Sequence, residues 1–414
     1  MKVKNKNLFK HLVPVLLGNM LEFYDIMLFG IFAPILSQVF YNSYHSKIAF
    51  VSLSYITFAI GFFFRPFGSL YFGYIADVYG RKKALLGSIM LMSIATLGIA
   101  ILPGYETLGY SAAILVTIFR SLQGFSAGGE YNNAAIYLIE YDKKLKNINS
   151  ALLVISGVIG SLIASYFFKL VVTEGAPVWA WRITFAFGAC LAIIGLILRS
   201  VILETQEFLS TNNKTSTFFN PIYFIVKNKR KELFIAFVIG SFNGLIYYFQ
   251  FVFLMNYLPN KLSISTVDAN YLNMVAFVFY AVGILINGVL ANKFGAKNLM
   301  LLSCIGYAIL LIPLTITLFK NDIYSLFFYQ IILACLSSCF CGLKHVFLAG
   351  LFSTHIRSTG VSFGYGLGVA IFGGTAPFLL TVLSQYNNLF IMVYVSISAV
   401  LCGLVIWNSQ DTVH

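Results

Sequence analysis

Apolar residues fall along this chain in runs of about twenty or more, too continuous for one face of a soluble helix or strand. A window of about 19 residues marks twelve such segments. Their cores lie at 12–39, 48–75, 84–103, 110–140, 150–172, 181–203, 231–258, 269–291, 299–319, 324–349, 359–384 and 389–408. Each predicts a membrane-crossing helix, so the expected fold is all-α and integral to a membrane. The first run lacks the short apolar core and small-residue cleavage site of an export signal and reads as a retained helix. The longest polar stretch, 204–230 ("ETQEFLSTNNKTSTFFNPIYFIVKNKR"), separates segments six and seven. It predicts a cytoplasmic linker between a six-helix bundle over 1–203 and a second over 231–414.

Composition agrees with the pattern. Of 414 residues 59% are hydrophobic, 17% aromatic and only 10% charged, which would leave a soluble surface sticky throughout. The cations supply the orientation. With the amino terminus inside, the cytoplasmic side holds Lys2, Lys4, Lys6, Lys10, Arg81, Lys82, Lys83, Lys143, Lys144, Lys146, Lys214, Lys227, Lys229, Arg230, Lys231, Lys293, Lys297 and Arg357. The opposite side holds Lys47, Lys261 and Lys320. That bias predicts both termini in the cytoplasm and an even number of spans. The net charge of +13 therefore reflects topology, with attraction to anionic lipid as a by-product. Cations scattered over short loops without a recognition motif give no nucleic-acid signal.

The two halves share a pattern. "GYIADVYGRK" after segment two and "GVLANKFGAK" after segment eight align at an offset of 215, pairing Gly73 with Gly288, Ala76 with Ala291, Gly80 with Gly295 and Lys82 with Lys297, while Asp77 meets Asn292. Such a match reads as a duplicated six-helix unit. Gly73, Asp77, Gly80, Arg81 and Lys82 resemble the signature loop of the major facilitator superfamily, with Val78 in place of the usual basic residue. That resemblance implies two pseudo-symmetric bundles. It also implies gating charges in this loop, and an Asp77 that caps the start of the third helix. "GNMLEFYDIMLFG", "FFFRPFGSLYFG", "LPGYETLG", "FRSLQGFSAGGEY", "WAWRITF", "LETQEF" and "THIRSTGVSFGYGLGVAIFGG" are similar to landmarks of its metabolite:proton symporter family, over nearly the whole chain. The resemblance implies import of osmolytes such as proline and betaine or of organic acids such as α-ketoglutarate. It also implies a multipass place in a bacterial inner membrane. Osmosensory members carry a long charged carboxyl-terminal coiled coil, whereas this sequence ends at His414, so osmotic sensing by such a tail is not expected.

An ionisable group at the bilayer centre costs about 2.5–3.5 kcal/mol on the mildest scale, so it persists when partnered or facing water. Glu22 and Asp25 in segment one, Arg65 in segment two and Arg120 in segment four need that explanation. Glu22 and Asp25 share a helical face. Burial opposes a carboxylate's charge while a nearby Arg supports it, and a group held between those influences can load and release a proton. Asp25, assisted by Glu22, is the candidate proton-coupling site, and the resemblance implies the same; a structural ion pair with Arg65 or Arg120 is the competing reading. Arg120 and Gln123 share a face and could clamp and orient a substrate carboxylate. Gly124 and Gly128 read as helix packing. Glu130, Glu140 and Arg182 are candidates for gating salt bridges with the signature loops, as is Glu204.

In the second half, Lys344 and His345 fall inside segment ten. Lys344 is either a second cationic anchor for an anionic substrate or a side chain reaching back to the cytoplasmic interface. Asn243, Tyr247, Tyr248, Gln250 and Asn256 in segment seven form a polar-aromatic set suited to line a cavity. Phe23 and Tyr24 could hold a quaternary ammonium by cation-π contact, so the candidate substrate residues are Arg120, Gln123, Arg65, Tyr24, Phe23, Asn243, Tyr247 and Lys344. "GFSAG" at 124–128 mimics a nucleophile elbow without its strand-turn-helix context, and "GYGLG" at 364–368 lacks the strand and acid of a dinucleotide site and reads as packing. The six cysteines all lie in apolar segments, implying neither a disulfide framework nor a metal site. No phosphate-binding loop is present, so no nucleotide drives the chain directly.

The expected mechanism is alternating access, with a small solute entering alongside a proton. No cofactor beyond that coupling proton, no nucleic-acid partner and a monomeric state are expected. A proton-independent facilitator or exchanger of the same fold is the alternative; a multipass enzyme or a transporter-like receptor is the remote one.

Overall fold

The computed structural model of this chain describes residues 2–41, 47–172, 177, 179–210, 219–255, 257–258, 266–320 and 323–409. Lys214 and Lys261, counted above for orientation, Asn256 of the polar-aromatic set and the terminal His414 lie outside these residues. Over the described residues each apolar segment is helical. In the first half the helices are α1 (Lys2–Ile31), α2 (Ala33–Phe40), α3 (Lys47–Val78), α4 (Arg81–Ile101), α5 (Tyr105–Leu108), α6 (Tyr110–Tyr141), α7 (Lys146–Val172) and α8 (Ala180–Ser200). The polar stretch holds α9 (Gln206–Ser210) and α10 (Phe219–Asn228). The second half has α11 (Arg230–Tyr248), α12 (Thr266–Phe294), α13 (Ala296–Lys320), α14 (Ile323–Cys341), α15 (Lys344–Leu351), α16 (Arg357–Gly368), α17 (Gly374–Tyr386) and α18 (Asn388–Trp407). Among the described residues nine stretches are long and apolar enough to cross a membrane.

Several spans that read as continuous are interrupted. Pro34, in the first turn of α2, cannot donate to a preceding turn, so the first segment breaks at Phe32. Segments seven and eleven each contain a π-helical turn, Phe249–Phe253 and Val369–Gly373. Segment ten breaks between α14 and α15, where Lys344 donates from Nζ to the Cys341 carbonyl at 2.9 Å.

The chain forms two compact units, each including a short segment from the other half of the sequence. The first comprises Met1–Tyr141, Ser156–Ile222 and Thr354–Ser362; the second comprises Asp142–Ile155, Tyr223–Ser353 and Phe363–His414.

Lipid tails are as apolar as leucine, so helices in a membrane associate by close packing rather than by escape from water. In the first unit α3 and α6 meet backbone to backbone: a Cβ on Gly124 would fall inside the Gly61 carbonyl, and one on Gly128 inside that of Arg65. The Gly124/Gly128 pair is therefore a packing device, as its spacing suggested. An aromatic cluster of Tyr24, Phe29, Phe32, Phe40, Trp181 and Phe185 fills the space against α1, α2 and α8. In the second unit Gly240 and Gly368 bring α11 and α16 into the same intimacy, with a Gly368 Cβ falling inside the Phe237 carbonyl. That accounts for "GYGLG". Outward faces stay greasy, as at Phe63, Ile101, Ile197, Phe328 and Leu401, which suits contact with lipid.

Candidate functional site

Asp25 sits in α1 at 1% exposure, surrounded by neighbours from three other helices. Its Oδ2 accepts a short hydrogen bond from the Thr96 hydroxyl on α4. Thr96 in turn accepts from Gln123 Nε2 on α6 at 2.9 Å, and Gln123 Oε1 accepts from Arg120 Nη1 at 3.1 Å. The donors run in one direction, from guanidinium to carboxylate, so each bond polarises the next. The Arg120 guanidinium also lies 4.7 Å from the Phe29 ring centre. The other oxygen, Oδ1, has no hydrogen-bond partner among the described residues and faces Gly188 on α8, whose absent Cβ would lie 2.9 Å away. Sequence spacing brought Arg120 and Gln123 together correctly. Thr96 and Gly188 were missed, since a Thr and a Gly in apolar helices carry no signal of their own.

Glu22, one turn before Asp25, is 3% exposed, and its Oε2 also lacks a hydrogen-bond partner among the described residues. Arg65, Glu130 and Arg199 act on it electrostatically. Arg65 is half-buried and stacks 4.5 Å from the Phe62 ring centre. Phe23 meets Tyr131 edge-on at 5.3 Å. Tyr24 departs from its expected role. It is 1% exposed, donates its hydroxyl to the Thr184 carbonyl at 2.8 Å, and packs against Phe167 and Phe187. Its ring helps to hold the first unit together.

The signature loop is built around Arg81, which is wholly buried. Its Nε and Nη2 grip Glu140 in a fork at 3.1 Å each, Nη1 donates to Asp77 and to the Ala76 carbonyl at 2.7 Å, and Nη2 reaches the Thr354 carbonyl at 2.7 Å. Glu140 is shared with Arg357 at 2.7 Å, and Arg357 also pairs with Glu207 at 2.6 Å. Asp77 does not cap the third span. Its oxygens accept from the amides of Ser358 and Thr359 at 3.1 and 2.8 Å, so it caps the start of α16. The first amides of α4 are taken instead by Glu204, at 3.1 Å from both Arg81 N and Lys82 N. Both arrangements place a carboxylate where unpaired amides and the helix dipole favour one. Gly80 turns the chain at φ 111°, and Gly73 lets Thr359 approach so closely that a Cβ would lie 2.8 Å from its Cα. In the second repeat Gly295 likewise has positive φ, at 80°. There Asn292, the counterpart of Asp77, accepts from Asn147 Nδ2 at 2.9 Å.

Two gating expectations change. Glu130 does not reach a signature-loop Arg; it is held by Arg199 on α8, through a 2.8 Å bond and a second, shorter one, and by Ser88 at 2.6 Å. Arg199 also donates to the Pro14, Val15 and Leu85 carbonyls, and its guanidinium fills the space Gly18 leaves open. Arg182 forms no carboxylate pair among the described residues: it donates to the Ala100 and Leu102 carbonyls and stacks over Trp181. Carbonyls at the C-terminal end of α4, which have no partner within the helix, supply its acceptors, so no acid is needed.

In the second unit Asn243 donates to the Tyr365 hydroxyl at 2.9 Å. Tyr247 is half-buried and packs with Tyr248, Phe251 and Phe277. Gln250 is tied into a core knot, accepting from Ser337 at 2.8 Å and Tyr307 at 3.4 Å. Lys344 is 1% exposed. Its Nζ lies 5.9 Å from the Tyr365 ring centre, and His345 tilts against the same ring at 5.8 Å.

The chain matches the family model "Sugar (and other) transporter" twice, over residues 10–218 and 211–414. The proline/betaine transporter of Escherichia coli (strain K12) is 30% identical over 407 residues, spanning 94% of this chain and 80% of the relative. The glycine betaine/proline/ectoine/pipecolic acid transporter OusA of Dickeya dadantii (strain 3937) is 29% identical, spanning 95% and 81%. In structure the chain resembles the proton:xylose symporter XylE bound to 6-bromo-6-deoxy-D-glucose (TM-score 0.79, 18% identity, 97% and 96% covered). It also resembles a partially occluded inward-open form of that protein (0.71, 18%, 97% and 97%). Transporters rather than enzymes surround it, and its bacterial relatives together with its own nine candidate spans among the described residues place it in the inner membrane as a multipass protein. Two family matches, one to each half of an all-helical chain, establish that it belongs to the sugar (and other) transporter family of the major facilitator superfamily.

Proposed function

We propose that the chain is a proton-coupled symporter carrying a small carboxylate-bearing or zwitterionic solute into the cell by alternating access. The observation that carries the reading is the Asp25 carboxyl, bonded through Thr96 and Gln123 toward Arg120 on one oxygen and unpartnered on the other. A proton arriving at Oδ1 neutralises the buried charge while the Thr96 bond to Oδ2 persists in either state. A solute carboxylate that draws Arg120 away from Gln123 loosens the donor chain feeding Asp25, which links solute to proton. Glu22, one turn away, is the proton's next station. The proton, the solute and surrounding lipid are the only partners required, with no nucleotide, nucleic acid or further cofactor, and a monomer suffices.

The architecture proposed is twelve spans in two six-helix bundles over 1–203 and 231–414, joined by the 204–230 linker, with both termini cytoplasmic. In it the Asp77–Arg81–Glu140–Arg357 cluster is the cytoplasmic latch that must open for inward release. The names of the relatives support proline or betaine as solute; the cations support an organic acid equally.

The test is uptake of labelled proline, glycine betaine and α-ketoglutarate into proteoliposomes under an imposed inward proton gradient, comparing the native chain with Asp25→Asn. Accumulation that needs the gradient, and is lost in Asp25→Asn while solute exchange persists, is the expected result. Accumulation that persists in the variant would make Asp25 structural rather than the proton site, and indifference to the gradient would make the chain a facilitator.

A further inference from the structure

In the second unit α11 and α18 leave an apolar groove of about 280 Å³, which Phe372 of the second π-helical turn also lines. Phe234, Val238 and Leu245 line it from α11, and Leu401 and Leu404 from α18. Phe234, Leu401 and Leu404 are exposed, so the groove opens outward, toward lipid. Two serines lie in its wall, but Ser241 donates to the Phe237 carbonyl and Ser398 to the Tyr394 carbonyl, each at 2.8 Å, so both hydroxyls are engaged by their own helices. Phe234 and Leu245 are about 16 Å apart along α11 at 1.5 Å per residue, and the hydrocarbon core of a bilayer is about 30 Å thick. The groove is therefore about one leaflet deep.

One end of it is cationic. Arg230 and Lys231 begin α11 and precede Phe234 by one helical turn, so they stand over the groove on the same face. Both are exposed, and among the described residues neither forms an ion pair; the adjacent acid, Glu232, is taken by Lys229 at 2.6 Å. Arg230 Nε donates to the Val226 carbonyl at 2.7 Å, which fixes the base of the guanidinium and leaves its Nη groups for an anion. In the twelve-span architecture α18 runs antiparallel to α11, so Asn408, just past the last turn of α18, lines the same end. Carbonyls at a helix carboxyl terminus repel an anion. Here Leu404 and Ile406 accept from the Asn408 and Ser409 amides, and the Ser409 carbonyl accepts from Lys297 Nζ at 2.8 Å.

We infer that this groove is a binding site for one anionic phospholipid. An acyl chain lies between α11 and α18, and the negatively charged headgroup meets Arg230 and Lys231. An apolar wall one leaflet deep with cations at a single end has the shape and charge of that amphiphile. The site lies apart from the Asp25 relay. It also goes beyond the general attraction of a basic chain to an anionic membrane, because it assigns the headgroup to two residues and the acyl chain to one groove.

The experiment is native mass spectrometry of the purified full chain in detergent, titrated with dioleoyl phosphatidylglycerol or dioleoyl phosphatidylcholine, which share their acyl chains and differ in net charge. One phosphatidylglycerol per chain should be held at least about tenfold more tightly than phosphatidylcholine, about 1.4 kcal/mol. Arg230→Gln with Lys231→Gln should reduce that preference at least about fivefold, whereas Lys144→Gln with Lys146→Gln, which removes two charges from another loop, should leave it unchanged. Leu404→Trp fills the groove without touching the cations and should weaken phosphatidylglycerol at least about fivefold. Equal retention of the two lipids overturns the inference. So does an unchanged preference in the Arg230 and Lys231 double variant, an equal loss in the Lys144 and Lys146 control, or unchanged phosphatidylglycerol binding in Leu404→Trp. Should a variant fail to fold, a phosphatidylglycerol with a photoreactive group in its acyl chain decides on the native chain: adducts mapped to α11 and α18 along the groove uphold the site, and adducts confined to other helices overturn it.

Discussion

Replacing Asp77 by Asn should loosen the hold on the start of α16 by a measurable amount. The carboxylate accepts from Arg81 at 2.7 Å and from the Ser358 and Thr359 amides at 3.1 and 2.8 Å. An Asn of the same shape keeps one acceptor and turns its NH2 toward a donor, so one amide bond is lost and the charge behind the others vanishes. Hydrogen bonds to charged groups contribute about 1.5–3 kcal/mol each, so a net loss of about 2–3 kcal/mol is expected after the surviving bond is counted. At 1.4 kcal/mol per tenfold, the open population should rise by about 30- to 150-fold. Ser358 is fully buried, and its own hydroxyl has no hydrogen-bond partner among the described residues, so Ser358→Cys reports on opening without weakening the latch. The assay is maleimide labelling of that cysteine in membranes, read by mass spectrometry of its peptide. A rise of less than about threefold in labelling rate when Asp77→Asn is added would refute the claim that this carboxylate holds the start of α16.

Three other outcomes are expected. Glu130→Gln strands the buried Arg199 guanidinium and should cost about 3–5 kcal/mol, seen as a lowered melting temperature in detergent; Glu130→Leu with Arg199→Met should recover part of it, and no loss in the single variant would contradict the pairing. Gly80→Ala should destabilise more than Gly295→Ala, because both have positive φ but only a Gly80 Cβ would collide with the Glu204 carboxylate, nothing lying within 4 Å at Gly295; equal melting temperatures would show the collision is relieved at no cost. Tyr24→Phe should cost about 1 kcal/mol of stability for the lost Thr184 bond and leave the KM of uptake unchanged, whereas a several-fold KM change would return Tyr24 to the solute site.

Elements that depend on one helix at a time could be read from the sequence. The apolar runs, the repeat at 73–82 and 288–297, and pairs three or four residues apart, such as Arg120 with Gln123, follow from periodicity alone. Partners chosen across helices could not. Glu130 looked like a gating acid because it lies with Glu140 in the half where the resembled family pairs acids with signature-loop Arg residues, yet ten residues amount to nearly three turns, and that distance brings it to Arg199 instead. Asp77 looked like the cap of the helix that follows it; the amides it serves are 281 and 282 residues away. Thr96 and Gly188 matter only because α4 and α8 carry them to Asp25, information that no single window contains.

The two repeat loops use one backbone and two chemistries. Gly80 and Gly295 both take positive φ, at 111° and 80°, and Gly73 and Gly288 both allow a close approach, to Thr359 in one repeat and to Asn147 and Ala151 in the other. The first repeat fills that frame with Asp77, Arg81, Glu140 and Arg357, and the second with an Asn147–Asn292 bond and a Ser150 hydroxyl on the Gly342 carbonyl. Neutral hydrogen bonds contribute about 0.5–1.5 kcal/mol each, roughly half of what charged ones do. The first loop is therefore held by the stronger bonds and is the one whose strength responds to charge substitution. The two loops thus share their glycine positions, while the charged bonds are concentrated in the first.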